Sequence, residues 1–171
     1  WTPSFTQAGT FNVTFIASDG SLADSEVVTI TVNNVNRAPG LDPIGAKTTN
    51  ENQLLQFRLT SSDPDLTTPT LSAVNLPVGA VFVDSANSRG SFTWTPTFLQ
   101  AGTYNATFIA SDGSLADSEV VTITVNNMNA PPELVAIGNK IINENQLLSF
   151  TINASDIDGL TLIYTATALP T

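Results

Sequence analysis

Residues 94–129 read WTPTFLQAGTYNATFIASDGSLADSEVVTITVNNMN. Within Thr103–Ala110, Tyr104, Ala106, Phe108 and Ala110 fall on one face, and Asn105 and Thr107 on the other. That is the two-residue period of a half-buried strand. Glu119–Val125 alternates in the same way, with Val121, Ile123 and Val125 inward and Thr122 and Thr124 outward. Between them lies Ser111-Asp112-Gly113-Ser114-Leu115-Ala116-Asp117. This is a hairpin connection in which Asp-Gly supplies the turn. Upstream, Gln100-Ala101-Gly102-Thr103-Tyr104 sets a tyrosine after a glycine turn, at the start of the penultimate strand, as in a tyrosine corner.

The same stretch occurs at 1–36, with five differences: Ser4/Thr97, Thr6/Leu99, Phe11/Tyr104, Val13/Ala106 and Val35/Met128. The offset of 93 residues also aligns 37–78 with 130–171, pairing Asn50–Leu55 with Asn143–Leu148, and Asp63 and Asp65 with Asp156 and Asp158. A fixed period means an array of repeats. The expected organisation is a C-terminal part of one repeat at 1–36, a complete repeat at 37–129, and an N-terminal part of the next at 130–171. The chain then reads as a segment of a longer tandem protein.

Working outward, Leu55, Phe57 and Leu59 share a face, as do Phe92 and Trp94. Further strands are expected at Ile44–Thr49, Thr70–Val74 and Ala80–Val83. About seven short strands in 93 residues predict an all-β, immunoglobulin-like β-sandwich. The alternation places Trp94 and Phe92 in a core rather than on a sugar-stacking surface. Each joint (Asn33–Pro39 and Asn126–Pro132) carries proline where the next repeat begins, giving a semi-rigid linker that stacks repeats end to end.

Composition narrows the function. Fifteen acids stand against five bases, a net charge of −10. That disfavours nucleic acid, which needs clustered cations. With no cysteine, disulfides and thiolate metal sites are excluded; with no histidine, the commonest general base is missing. No familiar nucleophilic triad can be assembled, so the segment is expected not to be an enzyme. No apolar run approaches a membrane helix, and no membrane insertion by this segment is expected.

The ordered set Asn50-Glu51-Asn52, Ser62-Asp63-Pro64-Asp65, Ala110-Ser111-Asp112-Gly113 and Val32-Asn33-Asn34-Val35-Asn36-Arg37-Ala38-Pro39 resembles the cadherin-like family. It is more similar still to the "putative Ig" repeats of large bacterial surface proteins. In cadherin-type arrays the joints bind calcium, and the resemblance carries over residue by residue. Asp63 and Asp65 match the family's Asp-x-Asp, and Asp112 the aspartate after the penultimate strand. Glu51 and Glu144 match its early glutamate. Asn33 with Asn36, and Asn126 with Asn129, take its linker aspartate positions. The second joint repeats the acids as Asp156 and Asp158.

The departures are that the linker has lost charge, and that the family's mid-repeat acidic segment is replaced by Trp94-Thr95-Pro96. One weakened site centred on Asp63, Asp65 and Asp112 is what the resemblance implies, with Ca²⁺ held at about 10⁻⁴–10⁻³ M. The plain alternative is that Asp-Pro-Asp and Asp-Gly are only turns.

The expected function is to space, stiffen and adhere within an extracellular or cell-surface protein, bacterial by the resemblance. Its partners would be neighbouring repeats, other surface proteins or polysaccharide. The alternative is a carbohydrate- or protein-binding accessory module of a larger secreted enzyme.

Overall fold

Twelve short strands and no helix make up residues 1–168, the part that the computed structural model describes. Residues 169–171, the end of the expected third segment, lie outside the described residues. In chain order the strands are β1 (Gly9–Ser18), β2 (Ala23–Val32), β3 (Gly40–Leu41), β4 (Lys47–Asn50), β5 (Leu55–Ser62), β6 (Thr70–Val74), β7 (Val81–Asp84), β8 (Arg89–Trp94), β9 (Gly102–Ser111), β10 (Ala116–Asn126), β11 (Glu133–Leu134) and β12 (Ala154–Ser155).

Two four-stranded sheets face each other in the middle of the chain, ordered β3-β5-β8-β7 and β4-β10-β9-β6. This is the expected immunoglobulin-like sandwich, and all seven expected strands are present. One more was not expected. The opening edge is split: β3 pairs antiparallel with β5, and the chain then crosses to the other sheet, where β4 runs parallel to β10. A crossing backbone leaves the ladder, so its donors need other acceptors. Glu119 provides them, accepting the N–H of Ile44 at 2.7 Å and of Gly45 at 2.8 Å, while Asp117 accepts Leu41 N–H at 2.9 Å.

The core follows the alternation. Phe92, Phe108, Ala106, Ala110, Val121, Ile123 and Val125 are buried between the sheets. Phe57 stacks on Phe92 at 4.8 Å between ring centres, and Phe108 meets both edge-on. Trp94 is buried, with its indole N–H on the Val78 carbonyl at 3.2 Å and its ring edge-on to Tyr104 at 5.0 Å. Tyr104 completes the tyrosine corner: its hydroxyl donates to the Gln100 carbonyl at 3.0 Å.

The β1–β2 hairpin keeps the register of β9–β10 residue for residue, Gly9 opposite Val32 as Gly102 is opposite Val125. Yet Phe15 is 58% exposed where its twin Phe108 is fully buried. Turn chemistry and alternation therefore set the hairpin locally, and a second sheet is needed only for burial. Likewise Glu133 and Leu134 pair with Ser155 and Ala154 in the register that Gly40 and Leu41 use with Ser62 and Ser61. The accessible surface, 12332 Å², exceeds the roughly 8,000 Å² that surface scaling gives a compact 18 kDa protein. The outer segments supply the excess, through side chains such as Ile141, Leu147 and Ile163.

Candidate junction sites

Asp63 and Asp65 sit on the loop after β5, at the end of the sandwich reached by the linker Asn33–Pro39. Asp63 is 8% exposed and closes its own turn. Its Oδ1 accepts Asp65 N–H at 2.6 Å, and its Oδ2 accepts the Thr67 hydroxyl at 2.7 Å. Asp65 faces the linker instead. Its Oδ2 accepts the backbone N–H of Arg37 at 2.6 Å, and its Oδ1 accepts Arg37 Nε and Nη2 at 3.0 and 2.8 Å. Arg37 Nη2 also donates to the Pro64 carbonyl at 2.6 Å, and the guanidinium lies 5.2 Å from the centre of the Phe5 ring. One side chain thus fastens the loop of one repeat to an aromatic ring of the preceding segment.

Asp112 works in two directions. Its Oδ1 accepts the N–H groups of Ser114 and Leu115, each at 2.7 Å, and fixes the hairpin turn. Its Oδ2 accepts Asn36 Nδ2 at 2.8 Å and holds the linker. The twin Asp19 makes the same turn with Ser21 and Leu22. Hydrogen bonds from the Arg37 side chain and backbone hold the Asp65 carboxyl below the usual aspartate range. Leu115 N–H, then the Asn36 amide and Ser114 N–H, do so for Asp112.

The opposite end of the sandwich begins the second joint. Glu51 is 2% exposed, with Oε1 on Gln100 N–H at 3.2 Å and Oε2 on Met128 N–H at 2.9 Å. A single carboxylate therefore ties the β4–β5 turn to the loop before β9 and to the outgoing linker. Asp156 Oδ1 accepts Asp158 N–H at 2.8 Å, and Asp158 Oδ2 accepts Ala130 N–H at 2.6 Å, repeating the first joint. Asn129 turns its amide to the Ala130 carbonyl at 3.4 Å, and Glu144 is exposed.

Asp63, Asp65, Asp112 and Asn36 thus share the first joint, and Glu51, Asn129, Asp156 and Asp158 belong to the second. Their oxygens do not converge as a calcium shell. Among the described residues no three acids come close enough together to hold a metal ion. At the first joint both oxygens of each aspartate already accept protein donors, and a guanidinium stands against Asp65. A cation there would meet N–H groups and a positive charge where it needs six to eight oxygens. The residues present therefore do not fit calcium at this joint. The resemblance gives Arg37 no role at the joint. The signal that could have found it was a rare base in the linker, two residues before its proline, in a strongly acidic chain.

A family model described as "Putative Ig domain" matches residues 38–126, just over half of the chain. Chitinase A of Pseudoalteromonas piscicida is 27% identical over 161 residues, covering 92% of this chain and 19% of that protein. Integrin beta-like protein A of Dictyostelium discoideum is 30% identical over 187 residues, covering 94% of this chain and 10% of that one. The chain therefore spans less than a fifth of the length of these relatives. Among solved structures, an endo-fucoidan hydrolase from glycoside hydrolase family 107 aligns with a TM-score of 0.48 and 18% identity, over 81% of this chain and 21% of that one. The titin domains Z1Z2 in complex with telethonin align with a TM-score of 0.45 and 19% identity, over 60% and 54%. With its two facing sheets and the match over 38–126, the chain belongs to the putative Ig domain family.

Proposed function

We propose that this chain is a non-catalytic structural module of a larger extracellular protein, and that it spaces and stiffens that protein. The observation carrying this is the carboxylate latch on each linker, Asp65 on Arg37 N–H and Asp158 on Ala130 N–H, both at 2.6 Å. A backbone N–H held by a charged acceptor within two residues of a proline loses most of its freedom to swing. At the first joint Arg37 supplies the positive charge that cadherin-type joints take from calcium. Domains latched in this way behave as a stiff series. The extracellular placement is supported by the similarity to chitinase A and to integrin beta-like proteins.

Small-angle scattering of the chain and of an Asp65→Ala/Asp158→Ala double variant tests the reading. The parent should give the profile of an extended particle of narrow length distribution, and the variant a broader one. Indistinguishable profiles would remove the latch as the cause of stiffness.

A second reading, an accessory module beside a catalytic domain, is favoured by the similarity to chitinase A over 92% of this chain. Retention of the chain on a polysaccharide column would select it. The apolar alternation hides Trp94 and Phe92, so a sugar platform would have to use other residues.

A further inference from the structure

The two joints share a carboxylate latch but differ in what lies beside it. At the first, the guanidinium of Arg37 is gripped by Asp65 Oδ1, the Pro64 carbonyl and the face of Phe5. The counterparts of these groups 93 residues on are Asp158, Ile157 and Phe98, and Arg37 itself is replaced by Ala130. Alanine cannot fill the space of an arginine side chain. A cleft of about 430 Å³ opens there, lined by Phe98, Ala130, Glu133, Asp156 and Ile157 among others. A second cleft of about 290 Å³ continues it past Phe98 to Asp158 and Glu51. Two differences from the first joint make the place more acidic: the arginine is gone, and Glu133 stands where the first joint has Gly40. Among the described residues, the protein hydrogen bond to the Asp158 carboxylate is made at Oδ2 alone, whereas the twin Asp65 uses Oδ1 for the guanidinium.

We infer that the cleft at the second joint binds a guanidinium group supplied from outside the chain, the side chain of an arginine on a partner polypeptide. The first joint is the template, because it shows the same set of groups holding that group covalently attached. Guanidinium suits the site on three counts: it forks onto a carboxylate, lies flat on an aromatic face, and carries the charge the acids lack. Its planar shape also argues for arginine over lysine. The net charge of −10 favours encounter with a basic partner. Joints of this array would then be of two kinds, one closed by its own arginine and one closed by a partner, so that binding also stiffens the second joint.

The test is an NMR titration of the ¹⁵N-labelled chain with acetyl-arginine-amide, with the uncharged acetyl-citrulline-amide as control. Saturable shifts are expected at the amides of Ala130, Ile157 and Asp158 with the arginine probe only. Asp158→Asn should weaken binding at least about tenfold, the scale on which a charge-assisted hydrogen bond acts. Ala130→Arg, which supplies the group internally, should abolish the shifts while the amides of the central sandwich keep their positions. Arg37→Ala should add a second responsive set around Asp65. Tighter binding of an arginine-containing peptide than of methylguanidinium assigns the ligand to a polypeptide, and equal binding assigns it to small guanidinium compounds. No saturable shift, an equal response to citrulline, or an undiminished response in Ala130→Arg overturns the proposal. Calcium moving the same amides while the arginine probe does not would replace it with a metal site.

Discussion

The backbone N–H of Arg37 lies 2.6 Å from the carboxylate of Asp65, and the guanidinium of the same arginine returns to that carboxylate at 2.8 Å. The residue that follows the last linker asparagine is thus held at both its backbone and its side chain. Both contacts favour the ionised carboxyl, which is why it stays deprotonated at lower pH than a free aspartate. The unfolded chain then binds protons more readily than the folded one. The contribution is complete above the ordinary aspartate value of about 3.9 and is lost as pH falls through the lower folded value. Carboxyl NMR should show Asp65 titrating below the ordinary aspartate value of about 3.9, and moving back toward it in Arg37→Ala. An unchanged Asp65 titration in that variant would mean the guanidinium is not the cause.

Glu51 presents a different case, since it is buried and its two oxygens serve two backbone donors from distant segments. Glu51→Ala removes both acceptors: Gln100 N–H keeps only the Thr97 carbonyl at 3.1 Å, and Met128 N–H is left to find water. A hydrogen bond to a charged acceptor contributes about 1.5–3 kcal/mol. Urea unfolding should show a loss of that size or greater, together with faster hydrogen exchange at those two amides. Glu51→Gln keeps one acceptor oxygen and should fall between parent and alanine variant. A loss confined to the linker, with Gln100 exchange unchanged, would show that the glutamate serves the joint alone.

The fold was largely legible because it is written in local pattern. Period-two alternation in Thr103–Ala110 and Glu119–Val125, with Asp112-Gly113 between, fixes the hairpin, and β1–β2 forms it even with Phe15 exposed. What escaped was the split first strand. Gly40–Leu41 is two residues long and apolar at one, too short to carry a period; it exists because Ser61 and Ser62 lie opposite and Glu119 accepts the crossing donors. The joint was legible in its membership, since Asp65, Asp112 and Asn36 do meet there. Its chemistry was not, because Asp65 takes the backbone N–H and guanidinium of Arg37 from 28 residues away and Asp112 takes the Asn36 amide from 76 residues away, and single-sequence reading sees no such pairing.

The tyrosine corner separates the two copies by one oxygen atom. Tyr104 donates to the Gln100 carbonyl at 3.0 Å, while the first copy has Phe11 at that position. Tyr104→Phe is then a substitution the repeat has already made in its other copy, and packing against Trp94 should survive it. The expected loss is that of one hydrogen bond, about 0.5–1.5 kcal/mol, read by urea unfolding. A loss well above this would mean that the hydroxyl organises more than the corner.

Gly90 gives the sharpest test of packing. It lies on β8, where its twin position is not represented in the outer segments, and a Cβ built on it would sit 2.5 Å from Phe82 Cζ and 3.3 Å from Leu71 Cδ1. Glycine here answers to space, not to backbone angle. Phe82 reaches across it to tilt against Phe108 at 5.6 Å, so the ring cannot withdraw without opening the aromatic cluster. Leu71 blocks the other side and is itself buried. Gly90→Ala should cost about 1–3 kcal/mol, the usual range for overpacking a filled core. Shortening the ring side chain should relieve it: in the Phe82→Leu background the same alanine should cost less, because the atom that clashes is gone. A double-mutant cycle by urea unfolding reads this coupling directly. Additive losses would show that the strain lies elsewhere, in the ladder of β8 with β5 and β7, and not at the contact between Gly90 and Phe82.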